Sequence, residues 1–142
     1  MMRIVQKSVA LPEFRRGCHL ITELILEKVP EIRQFKVGLL NLFLQHTSAS
    51  ITINENCCAD VRTDMSSWLD KVVPEGKHWE HSSEGPDDMP AHAKSSLMGV
   101  SVNIPITNGN VNLGTWQGIY LNEHRNHGGS RHIVITITGA VQ

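Results

Sequence analysis

A stretch rich in histidine and carboxylate side chains, HWEHSSEGPDDMPAH at residues 78–92, is the first candidate for chemistry. Its ionisable residues include His81, His92, Glu84 and Asp88. Glycine and proline at positions 85, 86 and 90 interrupt regular structure, so most of the stretch is predicted to be loop. Such groups on a loop held by a rigid scaffold are typical of functional sites. A solvated polar loop is the alternative, because the histidine spacing matches no short signature such as HExxH.

A second cluster, Gln45-His46-Thr47-Ser48, follows directly after the apolar run at residues 37–44. Polar groups at the end of a buried strand lie at a sheet edge, where ligands commonly bind. If His46 meets His81 and His92 in space, three imidazoles form a facial set with an open coordination position, as in catalytic zinc sites. The alternative is an edge histidine hydrogen-bonded to a backbone carbonyl.

A third cluster occupies residues 114–131, GTWQGIYLNEHRNHGGSR. Strand alternation places Gln117 and Glu123 on one face and His124 on the other, so Glu123 and His124 do not share a pocket unless a bulge intervenes. Burying the Glu123 carboxylate requires a metal ion or a cation such as Arg131. A purely structural Glu123–Arg131 pair remains the alternative to a functional one.

Two smaller signals have plain structural alternatives. Asp60 and Asp64 lie one turn apart on a predicted helix and could hold a divalent ion, but such pairs are commonly solvated. Cys57 and Cys58 lie at the N-terminus of that helix, where a lowered thiol pKa competes with inert packing.

The composition describes an ordinary globular chain of 142 residues, predicted to form a single domain over residues 1–142. The net charge of −1 provides no overall basic field for nucleic acid or for an acidic membrane surface. No segment has the length of a membrane span, and the N-terminus lacks the apolar core of a secretory signal. An odd count of 3 cysteines favours a reducing cytoplasm.

Hydrophobic periodicity predicts the elements that must position these groups. Strands are predicted at residues 2–9, 37–44, 50–54, 100–106, 119–125 and 131–139. Helices are predicted at residues 20–29, 57–72 and 91–98. The glycine pair within residues 126–130 predicts a hairpin between the last two strands. The order β-α-β-β-α-α-β-β-β predicts an α+β fold with a largely antiparallel sheet and helices packed on one side.

Three stretches together resemble the YjbQ family, whose members are often named secondary thiamine-phosphate synthases. They are HTSASITINEN, HWEHSSEGPDDMPAHAKSSLMG and GTWQGIYLNEHRNHGGSR. The resemblance covers nearly the whole chain and implies a homotrimer with a histidine-lined pocket near the subunit interface. It places family histidines at His46, His81 and His92 and a family acid at Glu123. Further family positions are Glu84, Asp88, Gln117 and Arg131, whereas His78, His124 and His127 rank lower as ligands.

The resemblance implies an enzyme that joins hydroxymethylpyrimidine diphosphate to a thiazole phosphate and releases pyrophosphate. In that scheme His46, His81 and His92 bind zinc, with manganese, nickel or magnesium as alternatives. The expected catalytic residues are Glu84, Glu123 and Arg131. The expected substrate contacts are Thr47, Ser48, Asp88, Lys94 and Gln117. Two other functions stay open: a metal-dependent hydrolase of a small phosphorylated metabolite, and a non-catalytic metal- or anion-binding trimer.

Overall fold

Two antiparallel sheets and three helices make up the fold in a computed structural model that describes residues 1–142. The strands are β1 Met2–Ala10, β2 Gly17–Leu20, β3 Phe35–Leu44, β4 Ala49–Glu55, β5 Ser101–Thr107, β6 Asn110–Val111, β7 Gln117–Glu123 and β8 His132–Val141. The helices are α1 Thr22–Lys28, α2 Ala59–Val72 and α3 Asp88–Met98, with a 3₁₀ turn at Pro30–Gln34. No helix is both long and apolar enough to cross a membrane.

The larger sheet has the order β1-β8-β3-β5-β6, and the smaller one has the order β2-β7-β4. Alternate residues of both sheets point into one shared hydrophobic core, for example Leu40 and Leu42 of β3 and Ile119 and Leu121 of β7. Strand β7 is buried on both faces, because its other side faces α2. Helix α3 lies against β4. Helices α2 and α3, which carry polar side chains, therefore pack against the smaller sheet.

The predicted α+β class and the antiparallel pairing are confirmed. The strands form two sheets rather than one, and the hairpin predicted at residues 126–130 is wrong. Strand β7 pairs with β2 and β4, while β8 pairs with β1 and β3. Both edges of each strand are thus already occupied, and the glycine-containing segment crosses from one sheet to the other.

All three helix starts also differ from the prediction, with α2 beginning at Ala59 rather than at residue 57. The first helix begins at Thr22 because Gly17–Leu20 pairs with β7 as a short strand. Helix α3 begins at Asp88 rather than at residue 91, since proline is tolerated in the first turn, where no backbone N–H is needed. It ends at Gly99, which adopts a φ of 94°. The last five residues of the polar stretch 78–92 are consequently helical.

Candidate metal centre

Three side chains from the polar stretch converge on one point: His81, Asp88 and His92. Asp88 and His92 are four residues apart in the first turns of α3, so they project from the same face of the helix. His81 comes from the preceding loop. Its Nε2 lies 2.7 Å from Asp88 Oδ2, and Nε2 of His92 lies 3.2 Å from the same oxygen. All three potential ligand atoms lie within 4.8 Å of one another.

The orientation of the His92 ring determines where its proton is. Nδ1 lies 2.7 Å from the carbonyl oxygen of Thr47, which can only accept a hydrogen bond. Nδ1 therefore carries the proton, and Nε2 of the neutral ring has a lone pair aimed at Asp88 Oδ2. Two acceptors 3.2 Å apart repel each other unless a cation or a second proton on His92 lies between them. A histidine whose far nitrogen donates to a backbone carbonyl is the usual arrangement of a metal ligand.

Asp88 is fixed from its other side by Arg125. The Arg125 Nη1 donates to Asp88 Oδ1 at 2.5 Å, and its Nε donates to Asp87 Oδ2 at 2.9 Å. Burial alone would raise the pKa of Asp88, but the hydrogen bond from His81 and the charge of Arg125 hold that pKa below its usual range. The carboxylate is thus kept ionised and oriented, as a metal ligand needs to be.

The distances of the two histidine nitrogens from Asp88 are close to those between ligands of one metal ion. Two ligands each about 2.1 Å from a metal lie about 3.0–3.4 Å apart when the angle between them is octahedral or tetrahedral. The separations of 2.7 Å and 3.2 Å around Asp88 require only small adjustments to reach that range. Two imidazoles and one carboxylate are a donor set that suits zinc, manganese or nickel better than magnesium.

A cavity of about 570 Å³ opens beside His92. Its lining residues share small size or a polar side chain: His46, Thr47, His92, Ser95, Ser96, Gly99 and Val100. On the other side of the cluster, Glu84 Oε2 lies 3.4 Å from His81 Nε2, and the Glu84 side chain is 65% exposed. A substrate group and a free carboxylate can therefore both approach the three ligands from solvent.

The family model described as "UPF0047 protein YjbQ-like" matches residues 7–140. The UPF0047 protein YjbQ of Salmonella typhimurium is 51% identical over 134 residues, which are 94% of this chain and 97% of that protein. The chain belongs to the YjbQ family. A crystal structure of a YjbQ/UPF0047 family protein from Clostridium acetobutylicum has a TM-score of 0.74 at 37% identity and covers 93% of this chain and 97% of its own. A YbjQ-like protein from Sulfolobus solfataricus has the same fold, with a TM-score of 0.86 at 24% identity over 98% and 99% of the two chains.

Of the three histidines assigned from the YjbQ resemblance, the fold brings together His81 and His92 but leaves His46 outside the ligand group. His46 Nε2 accepts a hydrogen bond of 2.8 Å from the backbone N–H of His132, and the two rings stack at 5.6 Å. Burial, together with the charges of Arg131 and His132, lowers the pKa of His46 and favours the neutral ring. His46 lines the cavity, and Asp88, expected to contact substrate, is the third member of the candidate ligand group.

The buried pair Glu123–Arg131 matches the structural alternative foreseen for it. Arg131 Nε and Nη2 lie 2.7 Å and 2.6 Å from the two oxygens of Glu123, whose side chain is 0% exposed. The second nitrogen also donates to Ser48 Oγ at 2.9 Å. Gly128 closes over this pair, because a Cβ there would overlap the Glu123 carboxylate. Neither charged group has a free face for a substrate.

The remaining expected substrate contacts are dispersed. Lys94 is 2% exposed and donates to Asp70 Oδ1 at 2.7 Å, away from the cavity. Gln117 is the first residue of β7, at the end of the strand opposite Glu123, and its Oε1 accepts a hydrogen bond from the backbone N–H of Gly114. Ser48 Oγ accepts a hydrogen bond from Arg131, and the carbonyl oxygen of Thr47 accepts one from His92. His124 is buried against Ser50 Oγ at 2.9 Å, in agreement with its low ranking as a ligand.

Arg125 is the residue of the centre that the sequence pattern did not reveal. It follows the end of β7, and its partners Asp87 and Asp88 lie almost forty positions earlier in the chain. A local signal existed for Asp88 and His92, because four-residue spacing marks one face of a helix. Pro90 between them made that stretch resemble a loop.

Proposed function

We propose that this protein is a metal-dependent hydrolase that acts on an ester or phosphoester of a small metabolite. The observation that carries the proposal is the position of the His92 ring, whose Nδ1 donates to the carbonyl oxygen of Thr47 and whose Nε2 faces the Asp88 carboxylate. A bound divalent ion such as zinc supplies Lewis acidity, which lowers the pKa of water and stabilises negative charge in the transition state. His81, Asp88 and His92 would hold the ion.

Glu84 is the general base in this proposal. Its carboxylate lies 3.4 Å from His81 Nε2 and is largely exposed, so it is close to the ligands and free to accept a proton. Glu123 is less suited, because both of its oxygens are bound by Arg131. Arg125 is a positioning residue that orients Asp88, and the hydroxyl groups of Ser95 and Ser96 line the wall that a substrate would face.

The synthase reaction that the resemblance implies is less well supported by the geometry than hydrolysis. Release of pyrophosphate calls for cationic side chains at the leaving group. The two candidates, Arg131 and Lys94, are bound to Glu123 and Asp70, and no lysine or arginine lines the cavity beside His92. Formation of thiamine phosphate from the two precursors, lost in His81→Ala, would favour the synthase over the hydrolase.

Elemental analysis of protein purified without an affinity tag tests the metal. We expect about one divalent ion per chain, lost in Asp88→Asn and His92→Ala and kept in His78→Ala, since the His78 ring packs against Trp79 outside the cluster. A folded wild-type protein without metal, even after incubation with zinc, would refute the centre.

A panel of nitrophenyl esters and phosphoesters tests the reaction. Hydrolysis should stop with a chelator, return with zinc, and fall by about 10²–10⁴-fold in Glu84→Gln while the metal stays bound. Bound metal without turnover on any substrate in the panel would favour the non-catalytic binding protein instead.

We also propose that the chain self-associates through the outer face of the larger sheet, with the homotrimer of the family resemblance as the expected state. Ile4, Leu39, Val37 and Phe43 are apolar, exposed and on the same outer face of that sheet. Such a patch on a protein surface is typical of an interface. Light scattering should give three chains for the wild type and fewer for Leu39→Lys; a monomeric wild type would contradict the proposal.

We propose that this protein is located in a reducing compartment such as the cytoplasm. Cys18, Cys57 and Cys58 are all free thiols, with two of them exposed. Exposed thiols that form no disulfide persist where glutathione keeps them reduced. Fractionation of cells that express the chain from its own promoter would test this location, and recovery in an oxidising compartment would contradict it.

A further inference from the structure

A second cleft, of about 580 Å³, opens between the segment Arg15–His19 and helix α2. The polar side chains that line it are mostly cationic or hydroxylic: Arg15, Arg16, Arg62, Thr63, Ser66 and Ser67. Asp70 is the one acidic residue in the lining, so the formal charge of the cleft is +3 − 1 = +2. The cleft shares no residue with the His81–Asp88–His92 cluster or with the cavity beside it.

The three arginines differ in how well their charges are already matched. Arg16 Nη2 lies 2.7 Å from Asp70 Oδ1 and its Nη1 lies 2.9 Å from Glu75 Oε2, so this guanidinium is bound on both arms. Arg62 has a single long contact of 3.5 Å to the hydroxyl of Tyr120. The Arg15 guanidinium has no hydrogen-bond acceptor, and only the carbonyl of this residue is engaged. Arg15 and Arg62 thus present unused donors to the cleft.

Both walls of the cleft are held in place by the fold. His19 Nε2 donates to the Arg15 carbonyl oxygen at 2.7 Å, and the His19 ring stacks on Phe14 at 4.7 Å. The chain then turns at Gly17, whose φ of 140° suits glycine. On the opposite wall, Arg62 and Ser66 are four residues apart on α2 and therefore project from the same face. A ligand would meet donors whose backbone positions are already fixed, which reduces the entropy lost on binding.

We infer that this cleft binds the phosphate group of a small phosphorylated molecule. Guanidinium groups match the oxygens of a phosphate with paired N–H donors, and the two serine hydroxyls can complete its hydrogen bonds. The volume of about 580 Å³ lies within the range of pockets for small organic ligands and exceeds the need of a free phosphate ion. The cleft therefore has room for an organic portion beside the phosphate, and we expect the ligand to carry one. This inference does not depend on the proposed hydrolase.

Calorimetric titration of the metal-depleted full-length chain with phenyl phosphate and with inorganic phosphate, at low ionic strength, tests the site. We expect phenyl phosphate to bind more tightly than inorganic phosphate. Arg15→Gln and Arg62→Gln should each raise the Kd by about tenfold, as loss of a charge-assisted hydrogen bond does. Arg33→Gln is the matched control, because Arg33 is an exposed arginine outside the cleft.

Several results would overturn the inference. These are the absence of binding with either anion, an equal loss of affinity in Arg33→Gln, or a loss in His92→Ala with none in the two cleft variants. Equal affinity for the two anions would overturn the organic portion of the ligand. Circular dichroism establishes that each variant is folded, and retention of metal binding by Arg15→Gln separates this site from the candidate metal centre.

Discussion

Replacing Arg131 by methionine tests whether the Glu123–Arg131 pair holds the fold or serves chemistry. The arginine makes two short hydrogen bonds to the Glu123 carboxylate, 2.7 Å and 2.6 Å long, and a third of 2.9 Å to Ser48 Oγ. Methionine keeps the apolar length of the side chain but leaves the Glu123 carboxylate buried without a cationic partner, with only the backbone N–H of Arg125 donating to it. Removal of one member of a buried pair costs about 3–5 kcal/mol in the free energy of unfolding.

This loss of unfolding free energy corresponds to a decrease in Tm that calorimetry can measure. For a domain of this size each kcal/mol lowers the Tm by about 3 °C, so we expect Arg131→Met to melt about 9–15 °C below the wild type. Arg33→Met, at an exposed arginine, should change the free energy of unfolding by about 0.5 kcal/mol or less. The double variant Glu123→Leu with Arg131→Met should recover most of the loss, because no buried charge remains unpaired.

The opposite pattern would refute the structural role. If Arg131→Met melts within about 2 °C of the wild type yet loses all hydrolysis of a substrate that the wild type cleaves, the pair serves chemistry. Failure of the double variant to regain stability would also contradict the reasoning, since it would show that the cost comes from lost packing rather than from an unpaired charge.

Three further predictions concern Glu84 beside the candidate metal centre, the buried His124, and Gly128 over the Glu123–Arg131 pair. Glu84→Gln should keep its metal and its Tm, because the side chain is 65% exposed, and a fall of several degrees in Tm would contradict a purely catalytic role. Burial, helped by the charges of Lys94 and Arg131, lowers the pKa of His124 to about 3, so the unfolded chain binds the extra proton below pH 6.5. Stability should therefore fall by about 1.4 kcal/mol per pH unit between pH 6.5 and 3 from this group, and urea unfolding of His124→Gln should show a shallower acid limb; equal slopes would refute the assignment. Gly128→Ala should lose about 1–3 kcal/mol by overpacking against Glu123, measured by urea unfolding, whereas an unchanged midpoint would show that the loop adjusts freely.

Local sequence patterns predicted the elements whose signals lie within one segment. The alternating isoleucine and threonine residues of β8 and the apolar stripe of α2 identify a strand and a helix without reference to the rest of the chain. Residues 131–139 and 57–72 were predicted for these two elements, close to the observed His132–Val141 and Ala59–Val72.

Which strands pair with each other depends on segments far apart in the chain, so the pairing could not be predicted from any one segment. The two glycines at 128 and 129 favour a hairpin, but β7 and β8 each have two better partners in separate sheets. In the same way, the position of His46 depends on the backbone N–H of His132, which reaches it only when β3 and β8 lie side by side. Arg125 reaches Asp88 only after the crossing between sheets places it above the start of α3.

The Glu123–Arg131 pair and the His81–Asp88–His92 cluster differ in whether the protein itself supplies every hydrogen-bond partner. Around Glu123 each carboxylate oxygen receives a guanidinium hydrogen bond, and the donors of Arg131 find acceptors within the chain. Such a closed network requires no ligand, and its residues contribute to the fold. Arg125 donates a hydrogen bond to Asp88, and the carbonyl oxygen of Thr47 accepts one from His92 Nδ1. The other nitrogen of His92, Nε2, faces a carboxylate oxygen of Asp88 at 3.2 Å. Only the second arrangement leaves a place for a cation or a second proton, and for that reason we propose the function at the His81–Asp88–His92 cluster.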